Sequence, residues 1–118
     1  MKGIPADLDL ATLHGAEVVQ VCLGLWQVQL CFHTGVSISI ECDWELVDEN
    51  NRLIDCSSDT VREQPFQLHL LLSRVVVATE VSSPLSFSLG FTGGLRFRVL
   101  VRDDGNESFS IQPLGIIV

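Results

Sequence analysis

The sequence predicts a mainly β fold, in which two antiparallel four-stranded meanders related by an internal repeat form a sandwich or a flattened barrel with one or two short helices. Three observations lead to this fold class. Apolar and polar residues alternate over most of the chain, as in strands with one buried face. Glycine-containing turns separate the alternating stretches, and the second half repeats the pattern of the first. With 118 residues and 47% apolar content, the chain has enough apolar surface for one core, and we expect a single domain over residues 1–118.

The repeat relates residues of about 1–59 to residues of about 60–118 at a shift of 59 positions without a gap. The identical pairs are Leu13 with Leu72, Val18 with Val77, Leu30 with Leu89, Phe32 with Phe91, and Gly35 with Gly94. Twice 59 is the length of the chain, 118 residues. The repeat therefore predicts two similar halves related by an approximate two-fold axis.

In the first half, the central prediction is a β-hairpin around the loop His33-Thr34-Gly35. Its glycine suits a left-handed backbone position, and the loop length places Leu30 opposite Ile38. The elements expected in this half, in chain order, are a short helix at 8–13 and strands at 17–23, 26–32, 36–42 and 44–47.

The second half predicts the same series around the loop Thr92-Gly93-Gly94. The elements expected here are a single helix or two short turns at 65–72, preceded by candidate N-caps at 57–60, and strands at 74–81, 85–91, 95–99 and 108–112. On the outer face of this hairpin, the pattern places Ser86 and Ser88 near Arg96 and Arg98. The apolar tail at 116–118 is expected to dock on the sheet or across a dimer interface.

The chain is acidic, with a formal net charge of −8 from 15 acidic and 7 basic residues. Such a charge repels phosphate backbones and anionic lipids, so nucleic acid and membrane are unexpected partners. No apolar stretch reaches the length of about 18 residues that a membrane helix needs, and the first residues do not resemble a secretory signal. We therefore expect a cytoplasmic protein, whose charge favours solubility and encounter with basic proteins.

The four cysteines all lie in the first half, without the spacing of a zinc site. They are Cys22, Cys31, Cys42 and Cys56. In a cytoplasmic domain we interpret them as small packing residues, in preference to a disulfide or a metal site. Cys56 lies in a polar stretch, where we expect a loop and an exposed thiol.

The chain offers no convergent set of catalytic groups, and we expect neither an enzyme nor a cofactor or metal. Cys31 and His33 would share a strand face at about 7 Å, which is too far for activation of a thiol. Glu41 and Asp43 are interpreted as a solvated face in preference to a cation site. The acidic stretch at 103–107 lacks the residue order of a calcium loop and is interpreted as a turn.

The function that remains is a non-enzymatic protein-interaction module, such as an inhibitor or immunity-type binder of a basic protein. Trp44 stands between acidic residues and is expected to be partly exposed, with Phe109 as its counterpart in the repeat, whereas Trp26 is expected in the core. The candidate contact residues are Glu41, Asp43, Trp44, Glu45, Asp103, Asp104 and Glu107. Two alternatives stay open: a small-ligand carrier with a cavity between the meanders, and a structural homodimer formed through an edge strand or the tail.

The order of several short motifs is similar to that of a family of small bacterial domains of unknown function. These motifs are Leu13-x-Gly15-x-x-Val18, Phe32-x-x-Gly35-Val36-x-Ile38-x-Ile40-Glu41-x-x-Trp44, Gly94-Leu95 and Glu107-Ser108-Phe109. In that family the late signature is typically Glu-Ser-Trp, so Phe109 is a departure, and the second hairpin loop lacks the usual Asp-Gly. The resemblance implies a bacterial source and assigns no activity.

Overall fold

Two antiparallel β-sheets pack against each other around a shared core in the computed structural model, which describes residues 10–24, 27–57, 67–83, 85–101, 109–112 and 116–117. The strands are β1 (Val18–Leu23), β2 (Val28–Phe32), β3 (Ser37–Ile40), β4 (Asp43–Val47), β5 (Leu53–Cys56), β6 (Val76–Ser83), β7 (Ser86–Phe91), β8 (Arg96–Leu100), β9 (Phe109–Gln112) and β10 (Ile116–Ile117). The helical elements are short 3-10 turns at Ala11–Leu13, Leu68–Leu71 and Thr92–Gly94. The predicted mainly β class with two antiparallel sheets is therefore confirmed.

The strand order is β1-β2-β3-β9-β10 in the first sheet and β5-β4-β8-β7-β6 in the second. Each sheet thus combines three strands of one half with two strands of the other. The structure differs here from two self-contained meanders, because the fourth strand of each half pairs in the other half's sheet. Trp44 of β4 lies opposite Val99 of β8, and Phe109 of β9 lies opposite Ile40 of β3.

The linker between β3 and β4 gives the physical reason for this exchange. Only Glu41 and Cys42 separate the two strands. A two-residue hairpin needs residues that accept a positive φ, as glycine and asparagine do. Neither Glu41 nor Cys42 has a positive φ, and the chain continues across to the other sheet.

Both predicted hairpins are present with the predicted register. Leu30 pairs with Ile38 in the first hairpin, and the equivalent Leu89 pairs with Phe97 in the second. The turns place Gly35 at φ 91° and Gly94 at φ 83°, which are backbone conformations that favour glycine. The local sequence therefore determines these two hairpins.

The two halves meet in a symmetric set of backbone hydrogen bonds where β1 and β6 begin. The Val76 N–H donates to the Ala16 carbonyl and the Val18 N–H donates to the Arg74 carbonyl, both at 2.9 Å. Glu17 and Val75 form an isolated antiparallel bridge between these two bonds. The two sheets are thus joined at this edge through main-chain groups.

These contacts correct part of the predicted alignment. Val18 and Val76 open equivalent strands and are both 1% exposed, so they correspond at a shift of 58, whereas the uniform shift of 59 had paired Val18 with Val77. Val77 is 56% exposed. The same correction replaces the pair Leu13 and Leu72, because it is Leu71 that is buried. The shift is 59 in the second and third strands of each half, as for Leu30 with Leu89, because β6 has a register irregularity between Val81 and Ser83 that β1 lacks.

Aromatic rings from both sheets fill the space between them. Phe87 of β7 packs on Phe109 of β9 with ring centroids 4.8 Å apart, and Trp44 stacks on Phe97 at 5.7 Å. All four rings are buried. The predicted correspondence of Trp44 with Phe109 agrees with these positions, while Trp26 lies outside the described residues.

The structure differs from the sequence predictions at the second 3-10 turn and at β5, and it agrees with them at the C-terminal tail. The predicted helix at 65–72 is a 3-10 turn of four residues where it is described, and residues 58–66 lie outside the described part. Strand β5 was not predicted. Cys56 is its last residue and is half-buried, so the prediction of a loop with an exposed thiol at Cys56 is wrong. The tail pairs with β9 as β10, which confirms that it docks on a sheet.

Candidate functional site

Three of the predicted contact residues lie together where the chain passes from the first sheet to the second. Glu41 is exposed in the linker, and Asp43 and Glu45 are half-buried at alternate positions of β4. The Oδ1 atom of Asp43 accepts a hydrogen bond from the Ser57 hydroxyl at 3.4 Å. We refer to Glu41, Asp43 and Glu45 as the acidic segment.

Glu45 also faces a cation on the neighbouring strand. Its Oε1 atom lies 3.6 Å from Nη1 of Arg98, which is directly opposite in the register of β4 and β8. The Nη2 atom of Arg98 donates a hydrogen bond to the Asn51 side-chain oxygen. Glu45 is therefore partly neutralised, and Glu41 is the most exposed carboxylate of the acidic segment.

Trp44 does not belong to this surface, and its predicted partial exposure is wrong. Its side chain is 3% exposed and stacks on Phe97 inside the core. Strand alternation explains this placement, because Asp43 and Glu45 point outward on either side of Trp44. The acidic neighbours of Trp44 in the sequence therefore led to a wrong prediction of its exposure.

The remaining predicted contact residues, Asp103, Asp104 and Glu107, lie outside the described residues. Their stretch connects β8 to β9. Their part in a contact surface stays a prediction.

Two histidines, His33 and His14, have side-chain nitrogens within hydrogen-bond distance of neighbouring groups. Nδ1 of His33 accepts a hydrogen bond from the Glu17 N–H at 3.0 Å, and Thr92 plays the equivalent role for the Val75 N–H at 3.2 Å. His14 Nε2 lies 3.2 Å from the Thr79 hydroxyl. Within the described ranges, no three His, Cys, Asp or Glu side chains are grouped closely enough to hold a metal ion.

Two cysteines lie beside each other on the outer face of the first sheet. Cys31 of β2 pairs with Gln20 and Cys22 of β1 pairs with Gln29, which makes the two thiols diagonal neighbours. Burial raises the pKa of the Cys31 thiol, and the adjacent Cys22 raises it further through its charge and a hydrogen bond. The four cysteines form no disulfide within the part of the chain that the structure describes.

A groove on the outer face of the second sheet is the other feature with binding chemistry. It lies over β6, β7 and β8 and has a volume of about 320 Å³. Ser88 of β7 pairs with Arg98 of β8, and both residues line the groove together with Arg96. The sequence had placed Ser86 and Ser88 near Arg96 and Arg98, but alternation alone does not show that the surface is concave.

The described helices include none with the length and apolar character needed to cross a bilayer. No protein-family model matches the chain, and neither a curated protein nor a solved structure matches it significantly. The resemblance to small bacterial domains of unknown function therefore stays a prediction.

Proposed function

We propose that the chain is a non-enzymatic binding module for a basic protein, of the inhibitor or immunity type, and that the acidic segment is its contact surface. The observation that carries this proposal is the exposed position of Glu41 beside Asp43 and Glu45 at the crossing between the sheets. Two of these carboxylates lie on β4 and the third lies in the two-residue linker before it, so all three are held close to a strand and offer acceptors to Lys and Arg side chains.

The net charge of −8 supports the same proposal. An acidic protein attracts a basic partner over distances of about a Debye length, roughly 8–10 Å at physiological salt, and this raises the association rate. Binding of this kind weakens as salt screens the charges. Salt dependence is therefore the expected signature.

The core offers little support for a ligand carrier with a cavity between the sheets. Phe87, Phe97 and Phe109 are fully buried and fill the space where such a ligand would have to lie. A carrier of that kind needs an internal volume of roughly 300 Å³ or more. We accordingly place the binding surface on the outside of the sandwich.

The experiment is affinity capture with the tagged protein from cells that express it, at low and at moderate salt, followed by binding measurements with the purified partner. Glu41→Lys is the test variant because it reverses the exposed charge without touching the core. Glu80→Lys is the matched control, since it makes the same charge change on β6, three strands and about 14 Å from β4.

We expect one basic protein, bound less tightly at moderate salt, and a clearly larger loss of affinity for Glu41→Lys than for Glu80→Lys. Equal losses would mean that only the overall charge matters and would remove the acidic segment as the contact surface. The absence of any basic partner in near-stoichiometric amount would contradict the proposed function itself.

A structural homodimer is a second candidate, and the edge strand β6 favours it. This strand has eight residues, and Val77 on it is 56% exposed. A long edge with an exposed apolar residue is a template for pairing with a second copy around a two-fold axis. Light scattering at increasing concentration tests this, with a dimer mass that Val77→Lys abolishes as the expected result and a constant monomer mass as the contrary one.

A further inference from the structure

The groove of the second sheet is a concave surface lined by polar side chains together with the apolar residues Phe87 and Leu100. Its polar side chains are Glu80, Ser82, Ser86, Ser88, Arg96 and Arg98, and the half-buried Leu100 contributes an apolar part. Its volume of about 320 Å³ is at the lower end of the range for small-molecule sites.

The middle strand of the groove, β7, contributes the small side chains of Ser86 and Ser88, and Gly90 follows them on the same outward face. Gly90 lies opposite Arg96 on one side and Ala78 on the other, so the middle strand has no side chain at this position. A Cβ atom at Gly90 would lie 3.3 Å from the Cβ of Ala78, which shows how closely the main chain of β7 approaches β6 here. The longer side chains of Glu80, Arg96 and Arg98 then form the walls.

The two arginines bring positive charge to one wall. Arg96 and Arg98 occupy alternate positions of β8 and therefore share a face, with Cα atoms about 7 Å apart. Arg98 is held from the other side by Glu45 and Asn51. Arg96 is exposed and makes no side-chain hydrogen bond or ion pair with any other residue that the structure describes.

Hydroxyl groups and one carboxylate line the rest of the groove. Ser88 lies in one cross-strand row between Arg98 and Glu80. The hydroxyls of Ser82 and Ser86 are 2.6 Å apart, next to this row. Guanidinium groups and hydroxyls together supply many hydrogen-bond donors. A tetrahedral anion has more oxygens to accept them than a carboxylate ligand has, so this set of donors suits a tetrahedral anion.

From these contacts we propose that the groove binds a small phosphate ester. Arg96 donates to the phosphate oxygens, and Ser88 and Arg98 complete the anion site. Glu80, on the opposite wall, would repel the phosphate and accepts hydrogen bonds from hydroxyl groups on the organic part of the ligand. The site adjoins the acidic segment through the ion pair of Arg98 with Glu45, whereas neither Glu41 nor Asp43 lines the groove.

The test is an NMR titration of the isotope-labelled protein with glycerol 3-phosphate and, separately, with inorganic phosphate. We expect saturable shifts of the amides of Ser86, Ser88, Arg96 and Arg98, with tighter binding of the ester. Arg96→Gln is expected to weaken binding about tenfold or more, which is the usual effect of losing a hydrogen bond to a charged group. Since Arg96 is exposed, this variant leaves the core intact.

Arg52→Gln is the matched control, because it removes one exposed arginine outside the groove. Its affinity for both anions is expected to equal that of the original protein. Equal weakening by Arg96→Gln and Arg52→Gln, or an absence of saturable shifts at millimolar ligand, would overturn the proposal. Glu80→Gln is expected to bind inorganic phosphate more tightly, and weaker binding would contradict the assigned position of the anion.

Discussion

The indole of Trp44 stacks on the ring of Phe97 at a centroid distance of 5.7 Å and an interplanar angle of 27°. The two residues come from different halves of the chain, and the contact exists because β4 has crossed to the second sheet. Phe109, the counterpart of Trp44, has likewise crossed to the other half's sheet, where it pairs with Ile40 of β3. Each half therefore completes the core of the other, so the halves depend on each other for stability.

Replacement of Trp44 tests its burial. Trp44→Ala removes a buried aromatic ring and is expected to lower the free energy of unfolding by about 3–5 kcal/mol, with a smaller loss for Trp44→Phe. Urea unfolding followed by far-UV circular dichroism measures the change. Leu53→Ala is the control, since Leu53 is 56% exposed, and its effect is expected to stay within about 0.5 kcal/mol. Equal effects of Trp44→Ala and Leu53→Ala would contradict a core position for Trp44.

Gly15 and Ser73 occupy equivalent positions and both have a positive φ, 83° and 69°. Serine is strained in this conformation and glycine is not, so Ser73→Gly is expected to stabilise the protein by a few tenths to about 1 kcal/mol. Gly15→Ala is expected to destabilise it, although no atom lies within 4 Å of the added Cβ, because the backbone conformation itself is unfavourable for alanine. Thermal unfolding of both variants measures this, and a stabilising Gly15→Ala would contradict the left-handed position.

Asp55 is the buried carboxylate of the described core, at 7% exposure. Its Oδ1 atom accepts from the Cys56 N–H at 2.9 Å and its Oδ2 atom from the Gln67 N–H at 2.7 Å, so it ties β5 to the second 3-10 turn. Asp55→Ala leaves these donors unpaired and is expected to cost about 1–3 kcal/mol of unfolding free energy.

Asp48→Ala is the matched control for Asp55. The Oδ1 atom of Asp48 also accepts two main-chain N–H groups, from Asn50 and Arg52, but in a turn that water reaches. Its loss is expected to be smaller than that of Asp55→Ala in the same denaturation experiment. A larger loss of unfolding free energy for Asp48→Ala than for Asp55→Ala would indicate that Asp55 does not hold the 3-10 turn in place.

The pKa of Cys31 gives a dependence of stability on pH. Burial, together with Cys22, raises this pKa above the ordinary thiol value of 9.0, so the folded state holds its proton more strongly than the unfolded state. The resulting contribution to stability is fully present below pH 9.0 and is lost as the pH rises through the raised pKa. The free energy of unfolding, measured from about pH 8 to about pH 11, is expected to decline more steeply for the original protein than for Cys31→Ala. Identical profiles would contradict the effect.

The fold class and both hairpins were predictable because the information is local. Alternation over a few residues sets which face is buried, and Gly35 and Gly94 fix the turns and hence the register. The exchange of β4 and β9 was not predictable from the same pattern, since strand pairing between distant segments leaves no local signature. The absence of a turn residue at Glu41 and Cys42 was the one available signal for it.

The candidate site was predictable only in part. The acidic residues around Trp44 correctly indicated that Glu41 is exposed and that Asp43 points outward, but they also led to the wrong prediction that Trp44 is partly exposed. The period of two along β4 was the better signal, as it puts Trp44 on the face opposite Asp43 and Glu45. The groove depends on the cross-strand row of Glu80, Ser88 and Arg98, and a single sequence does not show which positions of three strands are paired.

The exchange of strands between the halves determines the positions of the acidic segment, the groove wall and the core. It can be tested directly. Nuclear Overhauser effects between side chains report which strands are neighbours, and the two possible pairings of β9 give different cross-peaks. With the exchange, Ile111 is expected to show cross-peaks to Ile38, its partner across β3 and β9, and Leu46 is expected to show them to Phe97. If each half formed its own meander, Ile111 would instead lie directly opposite Phe97, and Leu46 would lie directly opposite Ile38. Cross-peaks between the residues of these two pairs, in place of the expected ones, would contradict this fold.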